Sequence, residues 1–107
     1  MNKEIYIRGL AEFLNKYKKS NIIYPDAVKR YLNITLKETY EHLDNRVIIN
    51  KDIKRIYIPR CPHCYHSLSD KYDTMNEVLT KDYIYCSNCD DEFKPDINNI
   101  SVCYEKL

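Results

Sequence analysis

Two cysteine pairs carry the clearest chemistry in the chain, Cys61-Pro62-His63-Cys64 and Cys86-Ser87-Asn88-Cys89. Each CxxC is a tight turn that aims two thiolates at one point. Four thiolates converging from two such turns make a closed tetrahedral site that suits Zn²⁺. The spacer, Tyr65 to Tyr85, is 21 residues, one beyond the usual range for paired CxxC turns, a small difference for a loop that only joins them. Two other chemistries use the same residue types. A redox CxxC needs a βαβ setting, which the residues around Cys61 do not supply, and disulfides belong to secreted chains, whereas no signal peptide opens this one. One structural zinc ion is therefore expected on Cys61, Cys64, Cys86 and Cys89. With four protein ligands it has no open position for catalysis. His63 and His66 flank the first turn, but two complete pairs need no further ligand.

The rest of the composition narrows the class. The 107 residues are 44% hydrophobic and 31% charged with a single glycine, which fits one globular domain or two very small ones. Eleven tyrosines and no tryptophan suit small, partly wet cores. No apolar run approaches 18 residues, so no transmembrane helix is predicted. Five cysteines, four of them assigned to metal, point to a reducing compartment, and a cytoplasmic location is the expectation. The fifth, Cys103, reads as a small buried hydrophobe in a last strand. The net charge of +1 hides an asymmetry: residues 1–58 carry 12 Lys and Arg against 7 Asp and Glu, net +5, and residues 59–107 carry 5 against 9, net −4. Pro59 sits where the sign changes, so domains of 1–58 and 59–107 are expected.

Elements that could position these residues follow from periodicity. Residues 3–19 read as a helix, with Ile7, Leu10, Leu14 and Tyr17 on one stripe, Tyr6 and Phe13 widening it, and Gly9 allowing close packing. Ile22-Ile23-Tyr24 reads as a strand or extended link, and Pro25 suits the first turn of a second helix reaching Asn33. Thr35 and Glu38 have capping-box spacing for a third helix, predicted to end near Asn45 with Leu36, Tyr40 and Leu43 inward. Arg46–Asn50 and Ile53–Ile58 flank the polar Lys51-Asp52 and read as a β-hairpin. The expected core of this half is Leu10, Leu14, Tyr17, Val28, Leu32, Leu36, Tyr40, Leu43, Val47 and Ile56. Further on, Tyr83-Ile84-Tyr85 and Glu92-Phe93-Lys94 flank the second cysteine turn, and Ile100–Tyr104 reads as a final strand closing a small sheet. The segment from Tyr72 to Thr80 fits either a short helix or an irregular loop.

The stretch Ala27 to Leu43 resembles a helix-turn-helix. Ala27 and Leu32 stand in the first helix, Asn33 and Ile34 in the turn, Thr35 at the cap and Leu43 near the end of the second. Asn33 replaces the usual turn glycine and tolerates the left-handed conformation. A hairpin directly afterwards looks like a wing, so residues 1–58 resemble a winged helix, and residues 59–107 resemble a zinc ribbon. Together they imply an α+β fold, three helices with a β-hairpin wing and then a small β-rich ribbon. That module order is similar to archaeal transcription factor E and its eukaryotic relatives, which use both modules to contact polymerase and promoter DNA.

The charges qualify what the resemblance implies. Outward positions of the third helix are Lys37, Glu38, Glu41, His42, Asp44 and Asn45, three carboxylates against one lysine, a poor face for phosphates. Basic residues lie instead at Lys29 and Arg30 on the preceding helix, at Lys51, Lys54 and Arg55 on the expected wing, and at Lys16, Lys18 and Lys19 at the end of the first helix. No nucleophile–base set is evident, and a phosphate-cradling glycine loop is excluded by the single glycine. The expected function is a non-enzymatic adaptor that meets a protein partner through Glu38, Glu41 and His42, within a nucleic-acid-handling or transcription-related assembly. Two alternatives are a DNA-binding regulator using Lys29, Arg30, Lys51, Lys54 and Arg55, and an accessory subunit of an enzyme complex. No membrane and no small-molecule substrate are expected.

Overall fold

The computed structural model describes residues 3–107, and its mixture of helices and small antiparallel sheets is an α+β fold. By internal contacts the chain divides into one unit of Met1–Arg55 with Cys103–Leu107 and a second unit of Ile56–Val102.

The first unit begins with α1, Lys3–Leu14, which turns Leu10 and Leu14 into the core. It ends five residues before the predicted limit. The amides of Lys16 and Tyr17 bond to carbonyls three residues back, and Ser20 takes a left-handed φ of 73°. The Ser20 amide can then donate to Lys106 and the Asn21 carbonyl accept from it, at 2.8 and 3.0 Å, which draws the chain out of the helix into β1, Ile22–Ile23. Pro25 opens α2, Pro25–Leu32, and Asn33 closes it in the left-handed conformation at φ 54°. Gly9 lets α1 and α2 approach, since a β-carbon there would lie 2.9 Å from the tip of Leu32. Thr35 and Glu38 form the full capping box of α3, Leu36–Ile49.

Residues 46–50 are not a strand. They continue α3, whose end is set by the amides of Asn50 and Lys51, both bonded to the Arg46 carbonyl at 3.0 Å. The Arg46 guanidinium is itself clamped on Asp52, at 2.7–3.2 Å. The β-branched run Val47-Ile48-Ile49 favours a strand locally, but tertiary contacts override so weak a preference. The expected hairpin is therefore absent. In its place β2, Ile53–Pro59, lies beside β5, Ile100–Lys106, in a three-stranded sheet of order β1-β5-β2. β5 is antiparallel to β1, with Ile22 opposite Glu105 and Ile23 opposite Tyr104. Backbone bonds from Leu107 to Asp52 and from Arg60 to Asn99 bracket the pair with β2, so those strands also run in opposite directions.

This pairing corrects the expected boundary: residues 103–107 belong with the first unit, because Tyr104 completes its core of Leu10, Leu14, Ile23, Val28, Leu43 and Ile53. Tyr17, Leu32, Tyr40 and Val47 pack at its edge as expected, whereas Leu36 stays 43% exposed and Ile56 belongs to the second unit. Asp44, read as outward, instead accepts from the Tyr104 hydroxyl at 2.6 Å and pairs with Arg55 at 3.2 Å. Burial and this bond to a carboxylate push the Tyr104 phenol well above its usual pKa. Cys103 is buried as expected, and burial raises its thiol to about 11.

The second unit holds a smaller core of Leu68, Val78, Ile84 and Phe93 around Cys61 and Cys86. The ambiguous segment contains α4, Met75–Leu79, capped by Thr74. β3, Ile84–Tyr85, and β4, Glu92–Phe93, form an antiparallel pair in which Ile84 faces Phe93.

A chain ending at Ile58 lacks Tyr104, so the fragment 1–58 should show no cooperative thermal transition by circular dichroism. In the full chain Tyr104→Ala should cost about 3–5 kcal/mol, the range for removing a buried aromatic ring. A sharp transition in the fragment would show that the first unit does not depend on β5.

The Arg46 bonds hold the Asp52 carboxyl below its usual range, with Lys106 helping at 3.6 Å. A lowered carboxylate stabilises the fold above its unfolded pKa of about 3.9, and that stability is lost as pH falls through the folded value. Asp52→Asn should therefore cost about 1–2 kcal/mol at pH 7 in urea unfolding, a range discounted for partial exposure. The difference from wild type should shrink as pH falls through the folded value, below which the native carboxyl is protonated too.

Candidate metal centre

The two cysteine turns are built alike. In the first, the Cys61 amide donates to the His66 carbonyl at 3.0 Å and the Tyr65 amide returns to the Cys61 carbonyl at 2.9 Å. In the second, Cys86 donates to Asp91 and Asp90 returns to Cys86, both at 2.8 Å. Each turn thus closes one residue past its second cysteine, where Tyr65 and Asp90 take left-handed φ values of 61° and 62°. That conformation costs an ordinary residue roughly 1–2 kcal/mol. An isolated β-bridge between Arg60 and Ser67 anchors the first turn, and the β3–β4 pair anchors the second.

These turns bring all four sulfurs within 4.8 Å of one another. Across the two turns, Cys61 and Cys89 are 3.7 Å apart and Cys64 and Cys86 are 3.6 Å apart. A tetrahedron with zinc–sulfur bonds of about 2.3 Å has edges of about 3.8 Å, whereas a disulfide needs about 2.05 Å. The donor set and its spacing therefore fit one zinc ion, and all five cysteines are free thiols. Cys61 and Cys86 are buried while Cys64 and Cys89 lie at the rim. The Asn88 side chain donates to the Cys64 sulfur at 3.4 Å, and with a backbone bond from His66 it lowers the Cys64 thiol to about 6. Cys89 receives a backbone bond from Asp91, but desolvation and its three sulfur neighbours outweigh it and raise the thiol to about 12. Asn88 was the functional residue missed in the sequence; its only signal was a side-chain amide inside a CxxC.

The remaining site residues fall into two groups. Of the basic set, Lys29 and Arg30 stand in the last turn of α2, and Lys51 follows α3 with φ 58°. Lys54 pairs with Glu105 at 3.7 Å and Arg55 with Asp44 at 3.2 Å, so both sit in ion pairs within the first unit. Of the acidic set, Glu38 accepts from the amide and hydroxyl of Thr35 at 3.2 and 2.9 Å, and these bonds hold its carboxyl below the usual range. Glu41 is exposed, and the His42 ring lies 5.7 Å from that of Tyr6. Glu38, Glu41 and His42 share one wall of a groove of about 320 Å³ between α1 and α3. The α1 wall of that groove was not anticipated, because it depends on which helix α3 packs beside.

No helix among the described residues is long and apolar enough to cross a membrane. No protein-family model, curated protein or solved structure matches the chain.

At under about 50 residues, the second unit is close to the size at which metals or disulfides usually become necessary, and structural zinc supplies on the order of 10–16 kcal/mol in such sites. Chelation should abolish hydrogen-exchange protection at Tyr72, Cys86 and Asp90, whose amides are bonded inside this unit. The amides of Leu14 and Leu43 should stay protected, with stability lowered by about 3 kcal/mol or less, because β2 and β5 would then pair across an open loop of residues 61–98. Retained protection at Cys86 and Asp90 in metal-free protein would contradict this.

Proposed function

We propose that the first unit is a winged helix and the second a zinc ribbon, and that the protein is a non-enzymatic adaptor in a nucleic-acid-handling assembly. The strand order β1-β5-β2 supports the first part if β2 and β5 are the two wing strands, with the ribbon inserted where a wing tip would otherwise turn. In this reading α3 is the helix that would otherwise enter a major groove.

The observation that carries the adaptor reading is where the charges are used. Arg46, Lys54 and Arg55 form ion pairs with Asp52, Glu105 and Asp44, while Glu38 and Glu41 stand on the outer side of α3. Duplex binding rests on neutralising phosphates, and on the outer side of α3 these two carboxylates outnumber the one lysine, Lys37. A protein partner carrying positive charge is favoured by the same arrangement. The second reading, a DNA-binding regulator, draws support from the left-handed Asn33 turn and the capping box that join α2 to α3 as in a helix-turn-helix.

Duplex selection at moderate salt separates the two. An adaptor should yield no consensus, and its residual binding should show a salt slope of about three or less. An enriched consensus bound tighter than about 10⁻⁸ M, and lost in Glu38→Ala with Glu41→Ala, would establish the regulator instead.

A further inference from the structure

The groove between α1 and α3 is wide enough to hold side chains from another molecule, and its walls are chemically divided. Tyr6, Ile7 and Ile49 give it an apolar lining, while Glu38 and Glu41 stand one helical turn apart at the N-terminal end of α3. Ile7 is 55% exposed and Ile49 is 76% exposed, so two large aliphatic side chains face solvent across it. Arg46 also lines the groove, but its charge is matched by the clamp on Asp52 at 2.7 Å. Glu38 stays ionised through its bonds from Thr35. The groove is thus apolar along its length and negative at one end.

We propose that this groove is the docking site for an amphipathic helix of a partner protein, one bearing two basic residues a turn apart. The proposal rests on the adaptor reading and names the partner's chemistry. From Glu38 to Ile49, α3 rises about 16 Å, about three helical turns. A helix laid along it would place apolar side chains at i, i+3 and i+7 between Ile7 and Ile49. Its Lys or Arg residues would then meet Glu38 and Glu41, which fixes register and disfavours acidic competitors. A second copy of this chain is a poorer occupant, because a two-fold pairing of this face brings four carboxylates into one interface.

The test uses the full zinc-loaded chain and two fluorescent amphipathic peptides of about 14 residues. Both have the same leucine stripe; one carries a pair of lysines a turn apart beside the stripe, the other glutamates there. In anisotropy titrations the lysine peptide should bind at least about tenfold more tightly than the glutamate peptide. Ile49→Asp should weaken it by about tenfold or more, and Glu41→Lys, which leaves Glu38 opposed by one lysine, should abolish the preference between peptides. Both positions are exposed, and far-UV circular dichroism checks that each variant is folded. Equal binding of the peptides, binding of neither, or indifference to Ile49→Asp would overturn the proposal. So would a dimer in sedimentation that Ile49→Asp dissolves. A cellular partner lost in Glu38→Ala with Glu41→Ala but kept by Ile49→Asp would sink the groove and spare the adaptor reading. A duplex consensus would sink the adaptor reading whichever peptide binds.

Discussion

Tyr104 sits wholly buried in the middle strand of the sheet, and the first unit depends on how its two natures are met. Its ring fills the space between the helices and Ile23 and Ile53, so the core has no substitute for it. Its hydroxyl cannot reach water and needs an acceptor, which Asp44 supplies from α3. Asp44 in turn is a charge at the core's edge, and Arg55 on β2 answers it. One aromatic residue thus ties the last strand, the longest helix and β2 into a single polar chain under an apolar layer. Such a set holds together only when each member has its partner.

The cysteine site was legible because its information is local. Two residues three apart define each turn, and the rest of the geometry follows from backbone bonds inside five or six residues. The Asn33 turn and the Thr35–Glu38 box were legible for the same reason. What could not be read was partnership across the sequence. Ile53–Ile58 looked like one arm of a hairpin, and the nearest β-branched run, Val47-Ile48-Ile49, looked like the other. Alternation shows that a strand has a buried face but does not name its neighbour, and the neighbour here lies beyond the whole zinc unit. Asp44 misled for a related reason: a carboxylate on a helix is usually solvated, and only the distant Tyr104 and Arg55 turn it inward.

The two units use charge in contrasting ways. In the first, Arg46, Lys54 and Arg55 are drawn into pairs, of which Arg55–Asp44 joins β2 to α3, while Glu38 and Glu41 stand on the outer side of α3. In the second, four sulfurs are crowded to a spacing that only a cation makes favourable, and acidic residues Asp90, Asp91 and Glu92 gather beside one turn.

The sheet's order has a consequence in time. A ribosome makes β1 and β2 early, but the strand that belongs between them comes only after the entire zinc unit. Until then the two-residue β1 has no partner in its sheet, and Ile23 and Ile53 lack the ring that covers them. The metal turns, complete once Asp91 has emerged, are in position to form first. All four cysteines of the metal site are thus synthesised before the strand that closes the first unit, and that unit waits for Tyr104 whether or not a cation is bound.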